Sequence, residues 1–101
     1  MTAYAAVAEP HRRQILDLLL REGERSVGDL VAKLRLSQPG VSKHLRVLRE
    51  AGLVDVRVDG RRRWYGLRPQ PLAEVDEWLE PYRAFWSTRL DALERHLKEN
   101  P

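Results

Sequence analysis

The sequence predicts a mainly α-helical domain with one small β-hairpin, and three observations support this fold class. Apolar residues recur at helical spacing in four segments, each of which predicts an amphipathic helix. After the third segment the period changes to two, and Val54, Val56 and Val58 alternate with charged residues. Glycine and proline separate the segments. A chain of 101 residues has room for one core, so we expect a single domain over 1–101.

The first two helices are predicted from their start and stop signals. Pro10 suits the first turn of a helix, and Gly23 suits its end. The alanine-rich stretch 2–8 before it is expected to form a separate helical turn. Ser26 followed by Asp29 is a variant of the capping box, and it predicts a short helix over about 27–34.

The third helix is expected to begin after Ser37, a good N-cap, and to end at Gly52. Val41, Leu45 and Leu48 follow one another at i, i+4 and i+7, which predicts one buried stripe. The second and third helices are joined by only three or four residues. Together they predict a helix-turn-helix over about 26–51.

A β-hairpin is predicted over about 54–67, followed by a long last helix over about 71–98. Asp59-Gly60 is the expected turn, because glycine accepts a positive φ without steric cost. The length of that turn decides which face Trp64 takes, and the sequence leaves it open. Pro81 lies inside the last helix and is expected to kink it or to restart it.

The last helix carries an apolar stripe with nearly heptad spacing, too large for one small domain to cover. Its members are Leu72, Val75, Leu79, Tyr82, Phe85, Trp86, Leu90, Leu93 and Leu97. Such a surface usually marks an interface, so we expect core or interface packing. A small-molecule pocket lined by the aromatic side chains is the alternative.

Charge is unevenly distributed along the chain. Residues 1–34 carry five basic and five acidic residues (net zero), residues 35–68 carry nine and three (net +6), and residues 69–101 carry four and seven (net −3). A cationic middle block predicts a polyanionic partner. A solvated basic face is the alternative.

Residues at the start and on the outer face of the third helix, and arginines of the hairpin, are the candidate DNA contacts. Glutamine, lysine and serine pair with base edges, and a helix N-terminus attracts phosphate. Arginines on a hairpin suit phosphates or a minor groove, although they also protect an edge strand from pairing. The candidates are Ser37, Gln38, Pro39, Gly40, Ser42, Lys43, His44 and Arg46 on the helix, and Arg57, Arg61, Arg62 and Arg63 on the hairpin.

Several motifs resemble those of the ArsR family of winged-helix transcriptional regulators. They are EPHRRQIL at 9–16, SVGDL at 26–30, LSQPGVSKHLRVL at 36–48, AGLV at 51–54 and DGR at 59–61. The resemblance implies a winged helix-turn-helix with a recognition helix at about 37–51 and a wing at 54–67. It also implies a homodimeric DNA-binding repressor of a pseudo-palindromic operator, joined through its C-terminal helix and N-terminal segment. Many members have glycine where Arg35 stands, so Arg35 is expected to be left-handed or to alter the turn.

No metal and no cofactor is expected. Cysteine is absent, which excludes thiolate sites and disulfides. Metal-sensing members of the family that this chain resembles also use histidine and acidic residues of the last helix. Here His96 lacks the paired spacing that such a set requires. A meeting of His11 and His96 across a dimer is left open.

Other functional classes are disfavoured. No phosphate-binding loop, metalloprotease motif or activated nucleophile is present, so no enzymatic activity is expected. No apolar run approaches the ~18 residues of a membrane span, and no signal peptide is recognised, so a cytoplasmic protein is expected. The competing hypothesis is a winged-helix adaptor whose basic face binds an acidic partner protein.

Overall fold

A computed structural model describes residues 1–99, and it confirms the predicted mainly helical fold class. The elements of that range are α1 (Ala3–Val7), α2 (Pro10–Glu22), β1 (Arg25–Ser26), α3 (Val27–Leu34), α4 (Gln38–Glu50), β2 (Val54–Asp59), β3 (Arg62–Leu67) and α5 (Leu72–Glu99). Residues 100 and 101, the end of the domain predicted over 1–101, lie outside the described residues.

Side-chain caps fix the starts of the helices. The predicted capping box is confirmed at α3, where Ser26 Oγ accepts from the Asp29 N–H at 3.2 Å and Asp29 Oδ2 accepts from the Ser26 N–H at 3.3 Å. At α2 the carboxylate of Glu9 is the N-cap, and it accepts from the Arg12 N–H at 2.9 Å. These bonds satisfy backbone donors that the first turn of a helix leaves unpaired.

The turn between α3 and α4 depends on one left-handed residue. Arg35 has φ 56° and ψ 39°, as expected for a residue that replaces glycine there, and its N–H donates to Val31 O at 2.9 Å. Ser37 then caps α4 two residues later. The short connection fixes how α4 leaves α3.

The sheet has three antiparallel strands in the order β1-β3-β2. The predicted hairpin is confirmed as β2 and β3, and the short β1 adds a third strand beside β3. β1 is only two residues long, too short for any periodicity to predict. Asp59 pairs with Arg62, which makes Gly60-Arg61 the two-residue turn, one residue later than predicted. Trp64 therefore lies opposite Arg57, on the other face from the buried Val54.

The core lies between α2, α3, α4 and the start of β2. Its buried apolar residues are Ala6, Ile15, Leu16, Leu18, Leu19, Leu30, Val41, Leu45, Leu48, Leu53 and Val54. The stripe predicted for the third helix is confirmed, because Val41, Leu45 and Leu48 are at most 1% exposed. This packing holds α4 by one side and leaves its other side free.

Helix α5 contributes no buried residue over its described length and extends well beyond the core. Residues 84–99 are all exposed, and the molecule measures 63 × 27 × 20 Å. α5 runs unbroken from Leu72 to Glu99, so the predicted restart at Pro81 is wrong. Arg83 bridges the proline, since its guanidinium donates to Asp76 Oδ1 at 2.7 Å, to Asp76 O at 2.8 Å and to Glu80 Oε2 at 2.8 Å.

None of the helices in the described part of the chain is both long enough and apolar enough to cross a membrane.

Candidate nucleic-acid interface

The N-terminus of α4 is built by Ser37 and Gly40. Ser37 Oγ accepts a hydrogen bond from the Gly40 N–H at 3.1 Å. A Cβ atom at position 40 would lie 2.9 Å from that same Oγ, closer than real Cβ atoms come. A side chain at position 40 would therefore require the Ser37 hydroxyl to shift from its present position.

The outer side of α4 is polar and accessible. The exposed residues that the sequence assigned to DNA contact on this helix are Ser37, Gln38, Pro39, Ser42, Lys43 and Arg46, with Arg49 and Glu50 beyond them. Because α4 is anchored only through its buried stripe, these side chains form one accessible surface over the whole length of the helix.

A cleft joins α4 to the hairpin. Ser42, Arg46 and Arg49 line one side of it, and Arg63 and Tyr65 of β3 line the other. The structure thus brings together residues that the sequence assigned to two separate elements. Arg49 was missed by sequence reasoning, although its spacing of three residues from Arg46 places it on the same side of a helix.

The hairpin presents its arginines in two different ways. A second cleft, between the hairpin tip and the start of α3, is lined by Arg61, Arg62 and Arg63. Arg57 instead makes an ion pair with Glu24, Nε to Oε2 at 3.0 Å, and a longer one with Asp59 at 3.8 Å. The tip arginines are therefore more available to a partner than Arg57.

Several cations of this surface have no acidic partner. Within residues 1–99, no ion pair is made by Lys43, Arg46, Arg49, Arg61 or Arg63. Charge that is not neutralised inside the molecule is available to an external anion. We name these five residues the cationic face.

His44 is placed away from the cationic face. Its side chain is 19% exposed and is directed at the start of α2, where its Nδ1 lies 3.8 Å from Glu9 Oε2. Burial lowers the pKa of His44, and nearby Arg12 lowers it further, while Glu9 opposes both. The neutral imidazole is favoured, so His44 adds little charge to the surface predicted to contact DNA.

Glu9 connects the two histidines on this side of α4. It accepts a hydrogen bond from His11 Nδ1 at 2.9 Å through Oε1, while Oε2 caps α2. Partial burial raises the pKa of Glu9, but the hydrogen bonds from Arg12 N–H and His11 outweigh this, so its net pKa is lowered. Glu9 is consequently an ionised carboxylate between two imidazole rings.

His44 Nδ1 is buried and has no hydrogen-bond partner in the described range 1–99. Leaving a polar atom buried and unpaired costs on the order of 1–3 kcal/mol. Sequence reasoning missed this Glu9–His11–His44 cluster, because Glu9 and His44 are 35 positions apart and only the packing of α2 on α4 brings them together.

A helix-turn-helix whose second helix exposes unpaired cations, followed by a hairpin with arginines at its tip, defines a class of protein. It is the winged helix-turn-helix class that binds DNA to regulate transcription. Comparison with known proteins agrees. Residues 9–56 match the family model described as "Bacterial regulatory protein, arsR family".

Individual relatives point the same way. The chain is 39% identical to the arsenic resistance transcriptional regulator ArsR1 of Pseudomonas putida, over 76% of this chain and 57% of the relative. It is 32% identical to the transcriptional repressor SdpR of Bacillus subtilis, over 75% of this chain and 83% of the relative. The crystal structure of a possible transcriptional regulator for arsenical resistance superposes with TM-score 0.68 at 43% identity, covering 91% of this chain and 92% of the other.

The chain belongs to the arsR family of bacterial regulatory proteins, as its resemblance to ArsR-type motifs indicated. It spans just over half the length of the Pseudomonas putida relative.

Proposed function

We propose that this chain is a homodimeric transcriptional repressor that binds a pseudo-palindromic operator in double-stranded DNA. The observation that carries the proposal is the cationic face, in which five positive side chains lack an acidic partner within residues 1–99. Duplex DNA carries one negative charge per ~1.7 Å of helix axis and so supplies the missing counter-charge. Such a repressor has no catalytic role and acts where the bacterial chromosome lies, in the cytoplasm.

In this proposal α4 is the recognition helix. The major groove of B-DNA is about 12 Å wide and admits one α-helix. The first turn of α4 enters it, and Ser37, Pro39 and Gly40 bring the backbone of that turn close to a phosphate, whose negative charge the N-terminal end of the helix dipole attracts. Gln38 pairs with adenine and Lys43 with guanine, because their side chains are exposed on the same helix and match those base edges.

The hairpin is the wing of the DNA-binding unit. Arg61, Arg62 and Arg63 contact phosphates or enter the adjacent minor groove, where narrow grooves attract arginine. Arg46 and Arg49, which line the cleft between α4 and the wing, hold the intervening phosphates. Arg57 contributes less, since Glu24 already pairs with it.

Dimerisation is proposed to occur through α5, with the N-terminal segment beside it. Trp78, Phe85 and Trp86 are each about half exposed, and Leu90, Leu93 and Leu97 are more than half exposed. A contiguous apolar surface of this kind is usually covered by a partner. Two copies related by a two-fold axis would place two α4 helices in successive major grooves, about 34 Å apart.

Titration of labelled duplexes tests the proposal directly. The duplexes are taken from the DNA that flanks the gene of this protein, and binding is followed by fluorescence anisotropy at several salt concentrations. We expect specific binding whose log affinity falls with log salt, by about 0.9 per neutralised phosphate. A chain that binds these duplexes no better than random DNA, or with no salt dependence, contradicts the proposal and favours an acidic protein partner.

Transcription in a strain that lacks the gene tests whether the protein represses or activates. Deleting the gene should raise transcription from the promoter that contains the bound site, because removal of a repressor frees the promoter. A fall in transcription on deletion would identify an activator instead. The same assay with Lys43→Ala should resemble the deletion, whereas Lys98→Ala, a lysine substitution on α5, should leave repression intact.

A further inference from the structure

We infer that Glu9, His11 and His44 form a binding site for a divalent transition-metal ion such as Zn²⁺. One ligand atom from each of the three residues lies within 4.8 Å of the other two. Glu9 and His11 stand at the start of α2, and His44 stands in the middle of α4. The site therefore joins the helix that precedes the helix-turn-helix to the exposed helix of that motif.

The separations between the ligand atoms are close to those around a bound metal ion. Zinc bonds to nitrogen and oxygen are about 2.0–2.1 Å long, so ligand atoms around a tetrahedral ion lie about 3.3 Å apart. His11 Nδ1 lies 2.9 Å from Glu9 Oε1, and His44 Nδ1 lies 3.8 Å from Glu9 Oε2, so each histidine faces a different oxygen of the same carboxylate. Small rotations of His11, which is exposed, bring the third ligand into place.

The donor set selects the class of metal. Two imidazole nitrogens and one carboxylate oxygen are the ligands of many three-residue zinc sites, in which water takes the fourth position. Calcium and magnesium prefer sites made entirely of oxygen ligands, so two histidines exclude them in favour of zinc, nickel, cobalt or copper. Water has access to the site on the side of His11 and Glu9.

The unpaired nitrogen of His44 provides a second, independent indication. His44 Nδ1 is buried, finds no hydrogen-bond partner within residues 1–99 and faces Glu9. A metal ion between the two residues would satisfy this atom, and the neutral form of His44 that its surroundings favour is the form that binds metal.

Nearby positive charge sets a limit on the affinity. Besides burial, the positive charges of Arg12 and Lys43 both lower the pKa of His44, and they would repel a bound cation. The guanidinium of Arg12 is held against the carbonyls of Ala6 at 2.6 Å and Ala5 at 3.0 Å, which partly neutralises it. We therefore expect weaker binding than at a structural zinc site, with Glu9 supplying the only negative charge of the ligand set.

The cluster gives His11 a role that does not depend on the cross-dimer pairing with His96. His11 meets Glu9 and His44 of its own chain, with the two imidazole centres 5.7 Å apart. A site that uses His11 consequently needs neither His96 nor a partner chain.

Metal titration of the full chain tests this inference. The protein is stripped with a chelator and titrated with Zn²⁺ by calorimetry and with Co²⁺ by visible absorption, which reports the coordination of cobalt directly. We expect one ion per chain. His11→Asn, at an exposed position, should weaken binding at least 10-fold.

The matched control is His96→Asn, which removes the histidine of α5 and should leave the affinity unchanged. Circular dichroism without metal establishes that His11→Asn and His44→Asn keep the fold. The inference is overturned by absence of binding, by full binding in His11→Asn, or by loss of binding in His96→Asn. Because the readout is metal binding alone, its failure leaves the proposed DNA binding intact, and the reverse also holds.

Discussion

The hydroxyl of Tyr4 donates a hydrogen bond to the backbone carbonyl of Glu74 at 2.9 Å, and its ring meets Trp78 edge-on at 6.1 Å. These contacts join α1, at the N-terminus, to the first two turns of α5. They hold α5 at its attached end, while residues 84–99 extend away from the core. Tyr4 thus helps to set the direction in which the apolar stripe of α5 points.

Replacing Tyr4 by phenylalanine removes this hydrogen bond but keeps the ring contact with Trp78. We expect the free energy of unfolding to fall by about 0.5–1 kcal/mol, the lower part of the usual range, because the bond is exposed. Urea denaturation followed by circular dichroism measures it. Tyr82→Phe is the control, since the Tyr82 hydroxyl makes no hydrogen bond in the described chain, and an equal loss there would refute the role of Tyr4.

Gln38→Ala and Lys43→Ala test the reading of base edges by α4. Each should reduce the discrimination between operator and random DNA by about 1–3 kcal/mol, since a base contact is lost while most phosphate contacts remain. Competition binding with both DNAs at fixed salt measures the ratio. Lys98→Ala on α5 is the control, and an unchanged ratio in both α4 variants would show that α4 does not read the sequence.

Arg61→Ala and Arg63→Ala test the wing. Loss of a phosphate contact should weaken binding to all duplexes alike and lower the slope of log affinity against log salt by about 1 for each arginine. Anisotropy titrations at four or more salt concentrations give the slope. Arg95→Ala, an exposed arginine of α5, should leave it unchanged, and a selective loss of operator binding in the wing variants would contradict phosphate contact.

Leu90→Glu tests dimerisation through α5. A charge placed without a partner in an apolar interface should raise the dimer dissociation constant more than ~100-fold. Sedimentation equilibrium measures this constant. Thr88→Glu introduces the same charge about 200° round the helix and should leave the dimer intact. A wild-type chain that sediments as a monomer, or equal effects of both substitutions, would argue against α5 as the interface.

Pro81→Ala tests how α5 remains continuous. Proline inside a helix is ~3 kcal/mol less favourable than alanine, so the substitution should stabilise α5 by up to about that amount. We expect a higher melting temperature and a steeper thermal transition by far-UV circular dichroism. Without Pro81, the bridge made by Arg83 should contribute less to the stability of α5. Arg83→Ala should therefore lower helicity more in the wild-type protein than in the Pro81→Ala variant. Equal losses in the two backgrounds would contradict the bridge.

The sequence predicted correctly those features that depend on the residues of a single helix or strand. Val41, Leu45 and Leu48 are buried as predicted because helical periodicity is local and strong. The turn at Gly60-Arg61 was predicted one residue early, since register is fixed by pairing between strands and not by the turn residues alone.

Features built by several elements were beyond sequence reasoning. Strand β1 exists only because Arg25 and Ser26 pair with β3. The Glu9–His11–His44 cluster exists only because α2 packs on α4, and where α5 passes Pro81 a side-chain bridge runs from Arg83 to Asp76. In each case a contact distant in sequence, or a specific rotamer, decides the outcome.

If α5 forms the proposed dimer interface, its exposed apolar side chains link the lifetime of the folded protein to its abundance. At protein concentrations above the dissociation constant of the dimer, the two chains cover each other's α5. A monomer instead exposes the leucines and aromatic rings of α5 to proteases and chaperones. Once synthesis stops, dilution by cell growth therefore removes the regulator faster and faster. A gene under its control would switch back on abruptly and not in slow proportion to cell division.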